Sequence, residues 1–151
     1  MGNLPSGYRL RLGTGGDRYL LGDFLDRTYR EIFPEQADLS HLADTVKQYF
    51  SADTSLWIVE REGRSIACLW MGTAVDQSSG ERYGHIFLIY VDPAHRRQGI
   101  ATALIDRARE LAKSRGQKQI GLQVFLANQN ALSLYEKLGF QTRSLLMLDR
   151  W

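Results

Sequence analysis

The stretch "HRRQGIATAL", residues 95–104, decides how this chain folds. Two arginines and a glycine stand between an apolar run ending in Asp92-Pro93 and an alanine-rich segment of helical spacing. A turn needs only the glycine, and a solvated surface accounts for the arginines but not for their position. Upstream, "RYGHIFLIYV" (82–91) reads as a long strand, apolar on both faces over its last five residues and therefore central in a sheet. Downstream, Ile100, Leu104, Ala108 and Leu111 form one helical stripe that Gly116 closes. The segment 95–101 thus joins the carboxyl end of a strand to the start of a helix. The opening N–H groups of a helix lack internal partners and carry partial positive charge. Gly99 lets the backbone approach a ligand, Ala101 is nearly as small, and Arg96 and Arg97 add forked donors suited to phosphate oxygens. Together they read as a pyrophosphate cradle. A charged loop with a glycine that only starts a helix is the plainer alternative, and it stays open here. The segment is neither a Walker A loop nor the three-glycine dinucleotide fingerprint.

Working outward, "YRLRL" (8–12) alternates as a first strand, and Leu21, Phe24, Leu25, Thr28 and Ile32 mark a helix that begins at an Asp17 N-cap and ends at Pro34. A second helix starts near Ser40. "SLWIVER" (55–61) and "RSIACLWMGTAV" (64–75) form a hairpin around Glu62-Gly63. Past the central helix, "KQIGLQVF" (118–125) is a strand, "NQNALSLYEKLGF" (128–140) a helix, and "QTRSLLMLDRW" a closing strand. Strand 82–91, its helix and strand 118–125 make a βαβ unit, so those strands are expected to be parallel. The fold class is α/β: one domain over 1–151, with a mixed sheet of about six strands and four helices.

Composition excludes several classes. The chain has 151 residues, enough for one domain with a core. A net charge of +2, with no aromatic residues among the basic ones, speaks against nucleic acid. Cys68 is the only cysteine and reads as a buried, inert thiol; no metal-ligand spacing appears. With no membrane-length apolar run and no signal-like N-terminus, a cytoplasmic location is the expectation.

"VDPAHRRQGIATALI" resembles the acetyl-CoA motif of the GNAT superfamily of acyl-CoA N-acyltransferases, Gln/Arg-x-x-Gly-x-Gly/Ala, with Arg96, Gly99 and Ala101 in its fixed places. "NQNALSLYEKLGF" resembles that family's C-terminal motif. The resemblance implies acetyl-CoA as cosubstrate and an amine acceptor, a small molecule or a peptide or protein N-terminus. It implies that the backbone of Ile89, Tyr90 and Val91 pairs with the pantetheine arm. Arg96, Arg97, Gln98, Gly99, Ile100, Ala101 and Thr102 would bind the pyrophosphate, and Asn128 would contact the cofactor. Tyr135 would stand near the thioester sulfur, and strands 82–91 and 118–125 would diverge into a V-shaped slot.

Tyr135 on an apolar stripe also reads as a core residue. As a phenol it is protonated at pH 7 and can donate to a leaving thiolate. Many relatives carry a glutamate late in the fourth strand; here Phe87 and Leu88 stand there, and neither takes a proton. Strict alternation puts His85 on the face of Phe87 and Ile89, as a candidate base. The alternatives are a half-buried polar residue and a base acting through water. A weak base favours amines of low pKa, α-amines over lysine. Asp17, Asp23, Asp26, Glu31, Glu35 and Asp38 make 17–50 mildly acidic, suiting a cationic acceptor, or they are merely solvated. A non-catalytic acyl-CoA-binding sensor is the competing function. A closing edge strand would also allow a homodimer.

Overall fold

The computed structural model describes residues 3–151. Its elements are β1 (Arg9–Leu12), α1 (Arg18–Ile32), α2 (His41–Tyr49), β2 (Ser55–Arg61), β3 (Arg64–Val75), β4 (Arg82–Val91), α3 (Ile100–Ser114), β5 (Ile120–Leu122) and α4 (Gln129–Lys137), with single 3-10 turns at Gly15–Asp17 and Pro93–His95. The five strands lie in the order β1-β2-β3-β4-β5. The first three pairings are antiparallel, and β4 pairs with β5 in parallel. The β2–β3 hairpin turns through Glu62 and Gly63, both at positive φ (51° and 76°), as a right-twisted two-residue turn requires.

The sheet buries both faces. Ala67, Leu69, Met71 and Ile86 pack with Ile100, Leu104, Ile105 and Ala108 of α3 on one side. On the other, Ile58, Cys68, Trp70, Leu88 and Tyr90 pack with Leu21, Phe24 and Leu25 of α1 and Leu42 and Val46 of α2. The helices place these residues at three- and four-residue spacing, and burial of that stripe is what holds them.

Two expectations are corrected here. The segment after α4 is not a strand: 141–151 pairs with nothing in the sheet, and Leu145, Leu146, Met147, Leu148 and Trp151 are exposed. Its apolar residues suggested a strand, but among the described residues its side-chain hydrogen bonds to the rest of the fold come from Arg143 alone, to Asp76 at 2.7 Å and to Ser78. The sheet therefore has five strands rather than about six. The edge strand is β5, and it holds three residues rather than the eight of 118–125.

Asp17 stands at the N-cap position of α1, as expected, but its side chain makes no capping hydrogen bond to that helix. It accepts from Thr14 N–H at 2.8 Å in a capping box around the preceding 3-10 turn, and from both terminal nitrogens of Arg11 at 2.9 and 3.0 Å. The Arg11 hydrogen bonds outweigh desolvation and hold its carboxyl near a pKa of about 2, against an ordinary 3.8. A depressed folded pKa gives stability that is present above the unfolded value and lost as pH falls through the folded one. Asp17→Asn is expected to cost about 1 kcal/mol at pH 7, allowing for solvent screening. That cost should shrink as pH falls from 3.8 towards 2, which urea melts across this range will read.

Candidate active site

The geometry of the site begins with a β-bulge. Trp70 pairs with Leu88 and Met71 with Ile86, so Phe87 is an extra residue in β4. The pairing of β4 with β5 stops at the same level, at Ile86 and Leu122. A bulge bends its strand and increases its twist. The remaining residues of β4, 87–91, have β3 on one side only, and the sheet is split there. The bulge also shifts the alternation. His85 and Phe87 share the α1 face as expected, their rings 4.9 Å apart, but Leu88 and Tyr90 follow them there. Ile89 and Val91 pack with the α3 side instead. Strict alternation fails for Ile89 because it cannot anticipate an inserted residue.

Along the unpaired edge, Asp92 N–H is donated to Ile66 O on β3. Antiparallel alternation then turns the backbone groups of Ile89 and Val91 towards the split, and those of Tyr90 towards β3. A peptide-like arm lying in the split meets the Ile89 groups and Val91 N–H. The Val91 carbonyl accepts from Arg96 Nε at 2.8 Å.

The loop beyond β4 is wound to present donors. Arg97 (φ 63°) and Gly99 (φ 84°) both adopt the left-handed region, with Gln98 between them. Such alternation makes a concave run of N–H groups, a shape that holds anions. The first helical bond of α3 is Ala103 N–H to Gly99 O at 3.0 Å, and the N–H groups of Gln98, Gly99, Ile100, Ala101 and Thr102 donate to no carbonyl among the described residues. A Cβ on Gly99 would meet open space, so the glycine is required by its φ while the room above it stays clear for a ligand. Ile100 buries its side chain in the core and contributes only backbone. These residues fit a pyrophosphate.

Arg96 is turned away from that concavity. Its guanidinium is bidentate to Glu31 of α1, with Nη2 at 2.7 Å, and lies over the Tyr90 ring. It braces α1 against the end of β4. The Arg97 side chain remains the cation beside the donors. A second brace was not legible in the sequence: the buried Tyr8 hydroxyl bonds His95 Nδ1 at 2.8 Å and donates to Gln98 Oε1 at 3.2 Å. It fixes the loop from β1, a contact spanning the whole fold that no local pattern announces.

Asn128 caps α4, its Oδ1 accepting from Ala131 N–H at 3.4 Å. Tyr135 lies on α4, half-buried against the α3-side core, its ring 5.6 Å from Phe140. Burial pushes its phenol upward, so it stays protonated across the neutral range. His85 is half-buried between Tyr83 and Phe87, and its Nδ1 is buried with no hydrogen-bond partner among the described residues. Desolvation lowers its pKa below 6.5, so the ring is neutral at pH 7. Gly121 stands opposite His85 in the register, and a Cβ there would come within 2.8 Å of the Tyr83 ring. A cleft of about 720 Å³ opens at the far end of β4, beside Arg82, and reaches this row of rings only at Phe87. None of the loop residues 95–102 lines it.

Four of the six acidic residues named in 17–50 are ion-paired: Asp17 with Arg11, Asp23 with Arg27, Asp26 with Arg30 and Glu31 with Arg96. Their pairing weakens the argument for a cationic acceptor from these charges.

A split sheet facing a donor-lined helix start marks the class of acyl-CoA N-acyltransferase folds. Residues 21–140 match the acetyltransferase (GNAT) family, and the chain belongs to that family. It is 33% identical over 106 residues to N-acetyltransferase family 8 member 2 of Rattus norvegicus, covering 70% of this chain and 46% of that protein. The chain thus spans less than half the length of that relative. In structure it is similar to a "predicted acetyltransferase with acetyl-CoA" from Clostridium acetobutylicum (TM-score 0.77, 25% identity, 94% of this chain and 96% of the other). It also shares its fold with a ribosomal-protein-alanine N-acetyltransferase from Brucella melitensis (TM-score 0.71, 19% identity, 95% and 99% covered). Among the described residues, no helix is long and apolar enough to cross a membrane.

Proposed function

We propose that this chain transfers the acetyl group of acetyl-CoA to a primary amine, an α-amine in preference to a lysine side chain. The observation that carries the reading is the run of unpaired N–H groups from Gln98 to Thr102 at the start of α3, beside the split in the sheet. Family membership supports it. In this reading the loop holds the pyrophosphate and the exposed edge of β4 aligns the pantetheine arm. The amine nitrogen forms a bond to the thioester carbonyl carbon, giving a tetrahedral intermediate. The C–S bond then breaks, and the departing sulfur takes a proton from Tyr135 while the ammonium loses one to His85 or to water.

His85 suits the base role by environment more than by strength. Its neutral form is secured by burial, but a lowered pKa gives it little power to deprotonate a lysine, whose pKa is about 10.4. It works on an amine that is already neutral, or on the more acidic ammonium of the intermediate. Release of CoA with a panel of amines tests the reading. With an α-amine acceptor, His85→Ala is expected to lose about tenfold or more in rate at pH 7, and much less at pH 9, where bulk base suffices. The wild-type rate should fall only as pH drops through the lowered imidazole pKa, at a more acidic pH than an ordinary histidine would give. If lysine peptides outpace α-amines at pH 7, with a rate that levels off below pH 8, a stronger base operates and the α-amine assignment is wrong.

A further inference from the structure

The α1 side of the split is walled by aromatic rings that neither the donor loop nor Tyr135 uses. Tyr29 and Phe33 come from the last turn and C-cap of α1, and Phe125 from the chain just past β5. The three rings touch one another. Phe125 stands edge-on to Phe33 at 4.9 Å and to Tyr29 at 5.9 Å, and Tyr29 and Phe33 are 6.3 Å apart. Because α1 is pinned to the end of β4 by Arg96–Glu31 and Arg27–Asp92, these contacts reach from the β4 lip to the β5 lip across the gap.

The fully buried contribution of α1 is made earlier, by Leu21, Phe24 and Leu25; Tyr29 packs against that core with one side and stays partly exposed, as does Phe33. Phe125 keeps 44% of its surface exposed and its neighbour Leu126 67%, so apolar surface is left in water at the mouth of the split. A contiguous apolar patch at a cleft is a recognition surface more often than a packing remnant. Charge agrees: Asp23, Asp26 and Glu31 of α1 are each taken by an arginine, leaving that helix no unpaired carboxylate to attract a polycation.

We propose that Tyr29, Phe33 and Phe125 form the acceptor subsite, and that it selects primary amines carrying an aromatic or bulky apolar group on or next to the amine-bearing carbon. The proposal rests on the reading that acetyl transfer takes place in the split. The apolar group of the acceptor inserts against the edge of Phe125, and its nitrogen is directed inward towards His85.

The test uses the whole chain with phenylalanine amide, leucine amide and glycine amide as acceptors. Wild type should favour phenylalanine amide over glycine amide by about tenfold or more in kcat/KM, mainly through KM, the scale on which an apolar pocket discriminates. Phe125→Ala should reduce that ratio to within about threefold, and Phe125→Leu should keep the leucine amide preference while losing part of the phenylalanine one. Calorimetric affinity for CoA should be unchanged in both variants, which also reports that they fold. Equal rates for phenylalanine and glycine amides in wild type would overturn the proposal, as would a Phe125→Ala variant that keeps the full ratio. Wild type that binds CoA but binds none of the three amides, by titration of the CoA-loaded protein, overturns this subsite alone. Wild type that does not bind CoA overturns the site reading beneath it as well.

Discussion

Arg97→Glu combined with Gly99→Glu is expected to abolish CoA binding, lowering affinity by at least about a hundredfold, while the protein stays folded. Two effects add. In the proposed reading the concave run of N–H groups from Gln98 to Thr102 would give the pyrophosphate its partners, and a helix start of this kind favours anions. Two carboxylates beside it reverse the local charge. At position 99 the φ of 84° also disfavours any side chain, by roughly 1–2 kcal/mol, so the loop is pushed towards a conformation that no longer gathers its donors. The new side chain has room, because nothing lies within 4 Å of the built Cβ, and that room is where the phosphates belong. The core does not sense the change, since neither side chain packs in it. Calorimetric titration with CoA decides the matter, with circular dichroism as the check on folding. Near-wild-type affinity in a folded double variant would remove the loop from the mechanism.

Tyr135→Phe is expected to lower kcat by about 10²- to 10⁴-fold with little change in acetyl-CoA affinity, as general-acid losses do. The ring packs against Phe140 and the α3-side core and keeps that packing as phenylalanine. Only burial shifts the phenol, and the shift is upward, so the hydroxyl keeps its proton at neutral pH and, in the proposed reading, would hand it to the sulfur as the C–S bond breaks. The same experiment separates an enzyme from a sensor that merely holds acyl-CoA. A sensor has no turnover to lose, and a residue that only packs would lose neither turnover nor much stability, because the phenylalanine ring keeps the packing. Steady-state kinetics with a good amine, alongside a thermal melt, gives both readings. An unchanged kcat returns Tyr135 to the core.

Much of this was written locally in the chain. The period change after Asp92-Pro93 located the strand–loop–helix junction, and the alternation of 55–61 and 64–75 about Glu62-Gly63 gave the hairpin. Helix stripes named Leu21, Phe24 and Leu25 of α1 and Ile100, Leu104 and Ala108 of α3, because three- and four-residue spacing has one physical cause, but passed over Ala103, Ile105 and Ala112, which widen the buried face of α3. What stayed hidden depends on contacts distant in sequence. The bulge at Phe87 exists through the β3 register, so alternation alone misplaced Ile89. The Arg96 side chain was assigned to phosphate on local grounds, but Glu31, 65 residues away, holds it. Tyr8 steadies the loop across 87 residues. The apolar run 145–148 looked like a strand, yet strand formation needs a partner edge, and in this fold it has none.

The burial of Cys68 has a practical side. It is the one thiol in the chain, it is 0% exposed in the core that the sheet shares with α1 and α2, and burial pushes its pKa well above the ordinary thiol value. A chromogenic disulfide reagent reacts with thiolates, and the native protein offers it none. Colour developed in the proposed acetyl-transfer assay would therefore come from the coenzyme's own sulfur while the protein stays folded. When the protein denatures, the silent cysteine becomes one stoichiometric signal per chain, which a parallel sample without acetyl-CoA counts separately.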